Sequence, residues 1–300
     1  MTMTPTLNSA EVRGEFEGLI ETIRPELHRY VARMIGSAID GEDVVQEAIV
    51  KAFYSLGQIK KHSNLRGWLF RIAHNKAIDY LRGRKLETME ELDETMIAAA
   101  AEDSPLEQKE LAAVALKAFL RLAPRQRSCV ILKDVLGYSL AEISELIESS
   151  IPEIKAVLNR GRTRLREIGK TFETAAPALD ERELKLLSRY IERFNARDFE
   201  AVCGMLRAEA RLDLVNKSKL RGADEISRKY FHNYRKLDDW HFRLGTVERR
   251  PAILVFDSPT ETASRPLYFL LLTIEGEQIS AIRDYRYARH VAETAEITTI

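Results

Sequence analysis

The side chains of this 300-residue chain whose types and spacing could do chemistry are polar and cationic groups set at helical intervals. Arg71, Asn75, Asp79 and Arg82 lie four, four and three residues apart, so one face of a helix would present all of them. Lys155, Asn159, Arg162 and Arg166 share a helix face downstream at intervals of four, three and four, with Arg160 and Arg164 beside them. Guanidinium and ammonium groups in such rows neutralise phosphates, and asparagines make directional hydrogen bonds to base edges. That chemistry is non-covalent recognition of a polyanion. A solvated amphipathic face is the other reading of either row taken alone.

Charge organisation bears on the choice. The chain holds 46 basic and 46 acidic residues, a net charge of zero that by itself speaks against nucleic acid, yet the charges are segregated. From Lys60 to Lys85 eight basic residues stand against Asp79 alone; from Leu86 to Glu110 nine acids stand against Lys109; from Lys155 to Lys170 six basic residues stand against Glu167. Two cationic blocks joined by an acidic stretch that repels DNA look like two footprints and a linker. No apolar stretch approaches the roughly 20 residues of a membrane-spanning helix, and Met1 to Ile20 lacks a secretory pattern, so the expected location is the cytoplasm, with no membrane partner. Cys129 and Cys203 are far apart in helix-like patterns, which supports neither a disulfide nor a thiolate metal site; no cofactor is called for.

The elements that must position these rows are helices in the first half of the chain. Val45, Ala48, Ile49, Ala52, Phe53 and Leu56 recur at helical spacing, leaving Asp43, Gln46, Glu47 and Val50 on the opposite face, free to dock a partner. The helix from Asn64 to Arg82 turns Leu65, Leu69, Ile72, Ala73 and Tyr80 inward. Pro124 opens a further helix and Gly137 closes it. Ser139-Leu-Ala-Glu142 and Ser150-Ile-Pro-Glu153 are two capping boxes, and each begins a helix. Ile151, Ile154, Leu158, Gly161, Leu165 and Ile168 form the apolar stripe of the second. Two short helices meeting at a tight turn, the second cationic on its outer face, form a helix-turn-helix, with base-edge contacts expected near the helix start at Ser150 and Lys155 and phosphate contacts later. The expected organisation is a helical domain at 10–86, an acidic linker at 87–105, a helix-turn-helix domain at 106–170, a second linker at 171–179 and a third domain at 180–300.

Beyond Asp180 the period shifts from 3.6 toward 2. Helices are expected at Glu181 to Asn195, Asp198 to Arg207 and Ala223 to Arg235; strands at Arg211 to Val215, Trp240 to Glu248, Ala252 to Asp257, Leu267 to Glu275 and Gln278 to Tyr287. The fold class is therefore multidomain: two all-α domains followed by an α+β cone in which helices cover a curved antiparallel sheet.

Asp40 to Glu47, then Leu-Arg-Gly-Trp-Leu-Phe-Arg-Ile-Ala at Leu65 to Ala73 and Asp-Tyr-Leu-Arg at Asp79 to Arg82, resemble region 2 of the sigma-70 family in its compact extracytoplasmic-function (ECF) group, and Pro124 to Lys170 resembles region 4. The resemblance implies that Asp43, Gln46 and Glu47 meet the β′ clamp helices of bacterial RNA polymerase core. It implies that Lys60, Lys61, His62, Asn64, Arg71, Asn75 and Arg82 capture the minus-ten promoter element, with a flipped base held by the polar loop at 59–64. By the same resemblance, Ser150, Lys155, Asn159, Arg160, Arg162 and Arg166 read the minus-thirty-five element while region 4 touches the β flap. Two positions depart from the family: Glu148 stands in the turn where relatives often have a small residue, and Val157 where they often place a cation.

The unit after Asp180 resembles SnoaL-like members of the nuclear-transport-factor-2-like superfamily, carried by Leu187 to Phe199, Gly222 to Tyr234 and the strand from Ile279 to Tyr287. Such units follow the sigma regions in some fused factors and modulate promoter activity. The implied protein is a non-enzymatic sigma factor that directs transcription initiation under control of its cone. Two other functions stay open: a one-component regulator sensing an unidentified small molecule in the cone, and a cyclase- or isomerase-like enzyme using an acid–base pair among Asp213, His232, Asp239, His241 and Asp284. Trp240, Phe242, Tyr268 and Phe269 are expected to be core.

Overall fold

Helix starts in the first half of the chain are written in short polar signals. Ser37 accepts the backbone N–H of Asp40 at 3.0 Å and so opens a helix after Gly36 ends the one before it. In the computed structural model, which describes residues 9–56, 64–85, 116–169, 180–237, 240–259 and 265–300, these signals give helices α1 (Ser9–Ile35), α2 (Ala38–Ser55) and α3 (Leu65–Lys85). After the second gap come α4 (Leu116–Phe119), α5 (Pro124–Val130) running on into a π turn (Ile131–Val135), α6 (Leu140–Ile147) and α7 (Ile151–Gly169). Pro124 occupies the first turn of α5, and Gly137, at φ 76°, follows the π turn. The chain divides into two units, residues 1–173 and 174–300. Both expected linkers, 87–105 and 171–179, lie outside the described residues.

One hydrophobic core runs through all the helices of the first unit. Tyr30 and Met34 of α1, Val45 and Ile49 of α2, Leu69 and Phe70 of α3 belong to the same cluster as Phe119, Val130, Leu158 and Leu165. Tyr30 lies at its centre, its ring 5.7 Å from Phe70, whose ring in turn lies 5.6 Å from Tyr138. The Tyr30 hydroxyl is shared between Ser128 Oγ at 2.8 Å and His74 Nδ1 at 2.7 Å, so burial of this polar tip is compensated. Burying each such aromatic contributes about 1.5–3 kcal/mol. The two cationic rows are thus held on one folded body. Gly161 allows α7 to lie against α5: a Cβ there would meet Val130 Cγ2 at 2.8 Å.

In the second unit, α8 (Glu181–Asn195) and α9 (Phe199–Gly204) precede a seven-stranded sheet in the order β2-β1-β6-β5-β4-β3-β7. Its strands are β1 (Leu206–Leu214), β2 (Ser218–Arg221), β3 (His241–Val247), β4 (Arg250–Phe256), β5 (Tyr268–Glu275), β6 (Gln278–Asp284) and β7 (Ile297–Thr299). Between β2 and β3 a helical run comprises α10 (Ala223–Ile226), a π turn (Ser227–Phe231) and α11 (His232–Arg235), and α12 (Arg289–Thr294) precedes β7. Phe194 of α8 stacks on Phe242 of β3 at 4.3 Å and meets Trp240 edge-on at 5.1 Å, so helix packs on sheet through aromatic rings. Trp240, Phe242, Tyr268 and Phe269 are all buried, as expected.

The α+β architecture agrees with the expectation, with one correction: the sheet is mixed, because β1 pairs with β6 in parallel while every other pairing is antiparallel. The helical run between β2 and β3 removes β1 from the meander, and β1 then pairs with β6, the last strand of the β3-β4-β5-β6 meander. Strands β2 and β7 were also unforeseen; β7 pairs with β3 where Gly245 leaves room, since a Cβ there would meet Thr298 O at 2.5 Å. Among the described residues, no helix is long and apolar enough to cross a membrane.

Candidate nucleic-acid interface

Helix α2 buries Val44, Val45, Ala48, Ile49 and Ala52 and presents Asp43, Gln46, Glu47 and Val50 to solvent. Neighbouring helices fix the face from both sides. Arg24 of α1 donates to Gln46 Oε1 at 2.6 Å and to the buried Glu42 at 2.8 Å, while Lys76 of α3 reaches Glu47 Oε2 at 3.0 Å. Tyr54, one turn beyond Val50, is 81% exposed and extends the face with an aromatic ring. Sequence reading missed it, because Tyr54 lies next to the inward-facing Phe53; its spacing of four from Val50 was the available signal.

Helix α3 presents Arg71, Asn75, Asp79 and Arg82 together, all exposed. Arg82 lies 3.7 Å from Asp79 within the helix, and Arg71 is paired with Glu148, in the turn between α6 and α7. Asn64 is spent locally: its Oδ1 accepts the Gly67 N–H at 2.8 Å at the start of α3. Lys60, Lys61 and His62 lie outside the described residues. Arg66, unassigned from sequence, makes two hydrogen bonds through Nη2 to Glu26, at 2.8 and 2.6 Å, and donates through Nε to the Tyr138 hydroxyl at 3.1 Å, so it ties α1, α3 and the segment before α6 together.

The helix-turn-helix has the expected caps. Ser139 accepts the Glu142 N–H at 3.2 Å while Glu142 Oε2 accepts the Ser139 N–H at 2.8 Å. Ser150 and Glu153 repeat the exchange at 3.4 and 3.2 Å, which engages the Ser150 hydroxyl in starting α7. Backbone and hydroxyl donors from Ser149 and Ser150 hold the exposed Glu153 carboxyl below the usual carboxylate range. Lys155, Arg160 and Arg164 are exposed, with Asn159 and Arg166 half-buried at the margin. Ile151, expected in the apolar stripe, is 41% exposed at the first turn.

Arg162 requires a correction. It is 7% exposed, and its guanidinium donates to Asp134 through Nε at 2.9 Å and Nη2 at 2.5 Å. Position 162 is four residues after Leu158 and three before Leu165, both buried, so it falls on the inner face of α7, where Asp134 holds its guanidinium. Burial pushes the Asp134 carboxyl up, to about 7. Arg127 is a second interior guanidinium that sequence reading missed: 2% exposed, it donates to the carbonyls of Leu120 at 3.0 Å, Leu122 at 2.9 Å and Met34, in the last turn of α1. Burial lowers its pKa to about 10.

In the second unit Asp284 is fully buried. Its Oδ2 accepts from the hydroxyls of Tyr230 at 2.7 Å and Tyr234 at 3.0 Å, and its Oδ1 from the Arg286 N–H at 2.8 Å. Arg286 also donates to the Tyr268 hydroxyl at 2.8 Å. Burial raises the Asp284 pKa above the usual carboxylate range. Both of the Asp284 oxygens are thus engaged by donors of the fold. Asp213, on β1 between β2 and β6, lies 3.7 Å from Arg283, His232 is exposed, and Asp239 lies outside the described residues. Among the described candidates no acid is hydrogen-bonded to His232 or His241. An open pocket of about 390 Å³ beside Tyr230 is lined by Leu214, Ser218, Leu220 and Asn233 together with Arg228 and Lys229.

Comparison with known proteins matches the helical first unit and extends beyond it. Residues 19–87 match the model of sigma-70 region 2 and residues 113–165 that of sigma-70 region 4. The ECF RNA polymerase sigma factor SigG of Mycobacterium tuberculosis is 30% identical over 226 residues, covering 67% of this chain and 61% of SigG, so the chain spans less than two thirds of that relative. The ECF sigma factor SigW of Bacillus subtilis is 25% identical over 163 residues, 51% of this chain and 87% of SigW. The crystal structure of the extracytoplasmic function sigma factor SigJ of Mycobacterium tuberculosis aligns with a TM-score of 0.36 and 18% identity, covering 89% of this chain and 95% of that one.

Proposed function

We propose that this chain, whose residues 19–87 and 113–165 match regions 2 and 4 of the sigma-70 family in order, is a sigma factor of that family that binds bacterial RNA polymerase core and directs it to promoters bearing minus-ten and minus-thirty-five elements. The observation that carries the reading is the separation of two surfaces on one helical body: an acidic and aromatic face on α2, and cationic faces on α3 and α7. Asp43, Gln46 and Glu47 contact the polymerase clamp, with Tyr54 filling an apolar position beside them. Lys60, Lys61, His62, Arg71, Asn75 and Arg82 take the minus-ten strand, and Asn64 shapes the start of their helix. Lys155, Asn159, Arg160 and Arg166 meet the minus-thirty-five element, with Ser150 setting the helix start. Cations supply the salt-dependent, sequence-independent part of affinity and the asparagines the directional part. The protein acts in the cytoplasm as a specificity subunit, the acidic linker at 87–105 separates the two DNA-reading regions, and the unit at 180–300 modulates its output. The enclosure of Asp284 favours a structural use of the second unit over catalysis.

Reversing the α2 face tests the assignment. Asp43→Lys with Glu47→Lys changes two exposed side chains, so the fold should persist while co-purification with core polymerase is lost. Undiminished co-purification by the folded double variant would overturn the proposal.

A further inference from the structure

Glu148 is misplaced by local standards. It caps α6 with φ 52° and ψ 52°, a left-handed conformation that suits glycine and strains a residue with a Cβ. A strained residue persists where its surroundings or its use require it. Its side chain is 69% exposed, so packing does not explain the choice. What it does is cross from the helix-turn-helix to the other cationic row, where its Oε1 accepts a hydrogen bond from Arg71 Nη1. A carboxylate on a guanidinium has the charge and the acceptor geometry of a phosphate oxygen there.

We infer that Glu148 is an intramolecular phosphate mimic: it occupies Arg71 in the closed arrangement of the helical unit, and a DNA backbone must displace it to use that cation. The inference rests on the proposed role of α3 in promoter binding. The closed arrangement is set by other contacts, namely Tyr30 with Ser128, Arg66 with Tyr138 and Arg127 with the Met34 carbonyl. Glu148 adds a selective toll on DNA. The α2 face is untouched by it, so polymerase can be met before Arg71 is released. Asn75 and Arg82, on the same row, remain exposed and offer an incoming strand its first contacts.

An exposed ion pair is weak, so its removal should change affinity by about threefold at low salt, and less as salt screens it. The test is a double-mutant cycle in the full chain, read by anisotropy with a fluorescein-labelled single-stranded DNA of random sequence at 50 and 200 mM salt. Glu148→Gln should bind about threefold more tightly than the unmodified protein at the lower salt. In an Arg71→Ala background the same change should give no gain. Labelling of Arg71 by phenylglyoxal, followed by mass spectrometry, reads the contact without DNA and should rise in Glu148→Gln. An equal gain in both backgrounds would reduce Glu148 to one more negative charge, and unchanged labelling with no gain would show no occupied Arg71; either overturns the inference. Neither touches the polymerase assignment, which stands or falls on the α2 reversal.

Discussion

Replacing Arg162 by methionine should damage the fold and leave the DNA contact alone. The change keeps side-chain bulk but removes the cation from a bridge whose two side chains are 9% and 0% exposed. It strands a buried carboxylate, a defect that costs about 3–5 kcal/mol when one partner of a buried pair is removed. For a unit of 173 residues, at roughly 2–4 °C per kcal/mol, Tm should fall by about 6–20 °C. The loss should itself depend on pH. Asp134 is already raised to about 7 by burial, and without Arg162 it rises further, so the folded variant holds a proton that the unfolded chain releases above its ordinary value of 3.8. Stability of the variant relative to the unmodified protein therefore falls as pH rises through that range, and the deficit at pH 6 should be smaller than at pH 8. Arg160→Ala is the control two residues away: exposed, it should change stability by less than about 0.5 kcal/mol yet lower the salt slope of DNA binding by about one. Thermal melts followed by circular dichroism, with DNA affinity measured against salt below the transition, read both. An Arg162→Met protein that melts within about 2 °C of the unmodified one and loses one unit of salt slope would refute the inward placement.

Asp284→Asn tests the buried network of the second unit. Because burial raises the folded pKa above 3.8, the stabilising protonated state is complete at low pH and is lost as pH rises through the raised value, so the Tm difference, variant minus unmodified, should grow more favourable between pH 4 and 8; a difference flat with pH would contradict this. Tyr54→Ser should weaken polymerase binding with little change in Tm, since the ring is 81% exposed, and an unchanged polymerase affinity would remove Tyr54 from that face. Deleting residues 180–300 should change transcription output, as a tethered unit acts at an effective concentration of order millimolar; equal output across several promoters would deny it a modulating role.

What was legible in the sequence was local. Pro124 favours a helix start through its fixed φ, and the Ser139–Glu142 and Ser150–Glu153 boxes fix theirs through hydrogen bonds spanning three residues; short-range pattern finds such signals. The α2 and α3 faces followed from period alone. What was hidden depended on partners far along the chain. Arg127 is interior because the carbonyl of Met34 awaits it 93 residues earlier, and Glu148 is paired because Arg71 lies 77 residues away. Arg162 was misread although its spacing from Leu158 and Leu165 marked it as inward, because a charge was assumed to face water; Asp134 compensates it. The parallel pairing of β1 with β6 crosses more than sixty residues, and no alternation within either strand announces its neighbour.

The central claim is that two cationic faces and one acidic face on this chain act together as a promoter-specificity subunit. Run-off transcription with purified core polymerase on fragmented genomic DNA, with transcript 5′ ends sequenced, tests it most directly. The account predicts start sites that appear only when the protein is added, share two upstream elements, and vanish with the Asp43→Lys, Glu47→Lys protein. Transcripts identical with and without the protein, or unaffected by that double change, would contradict it.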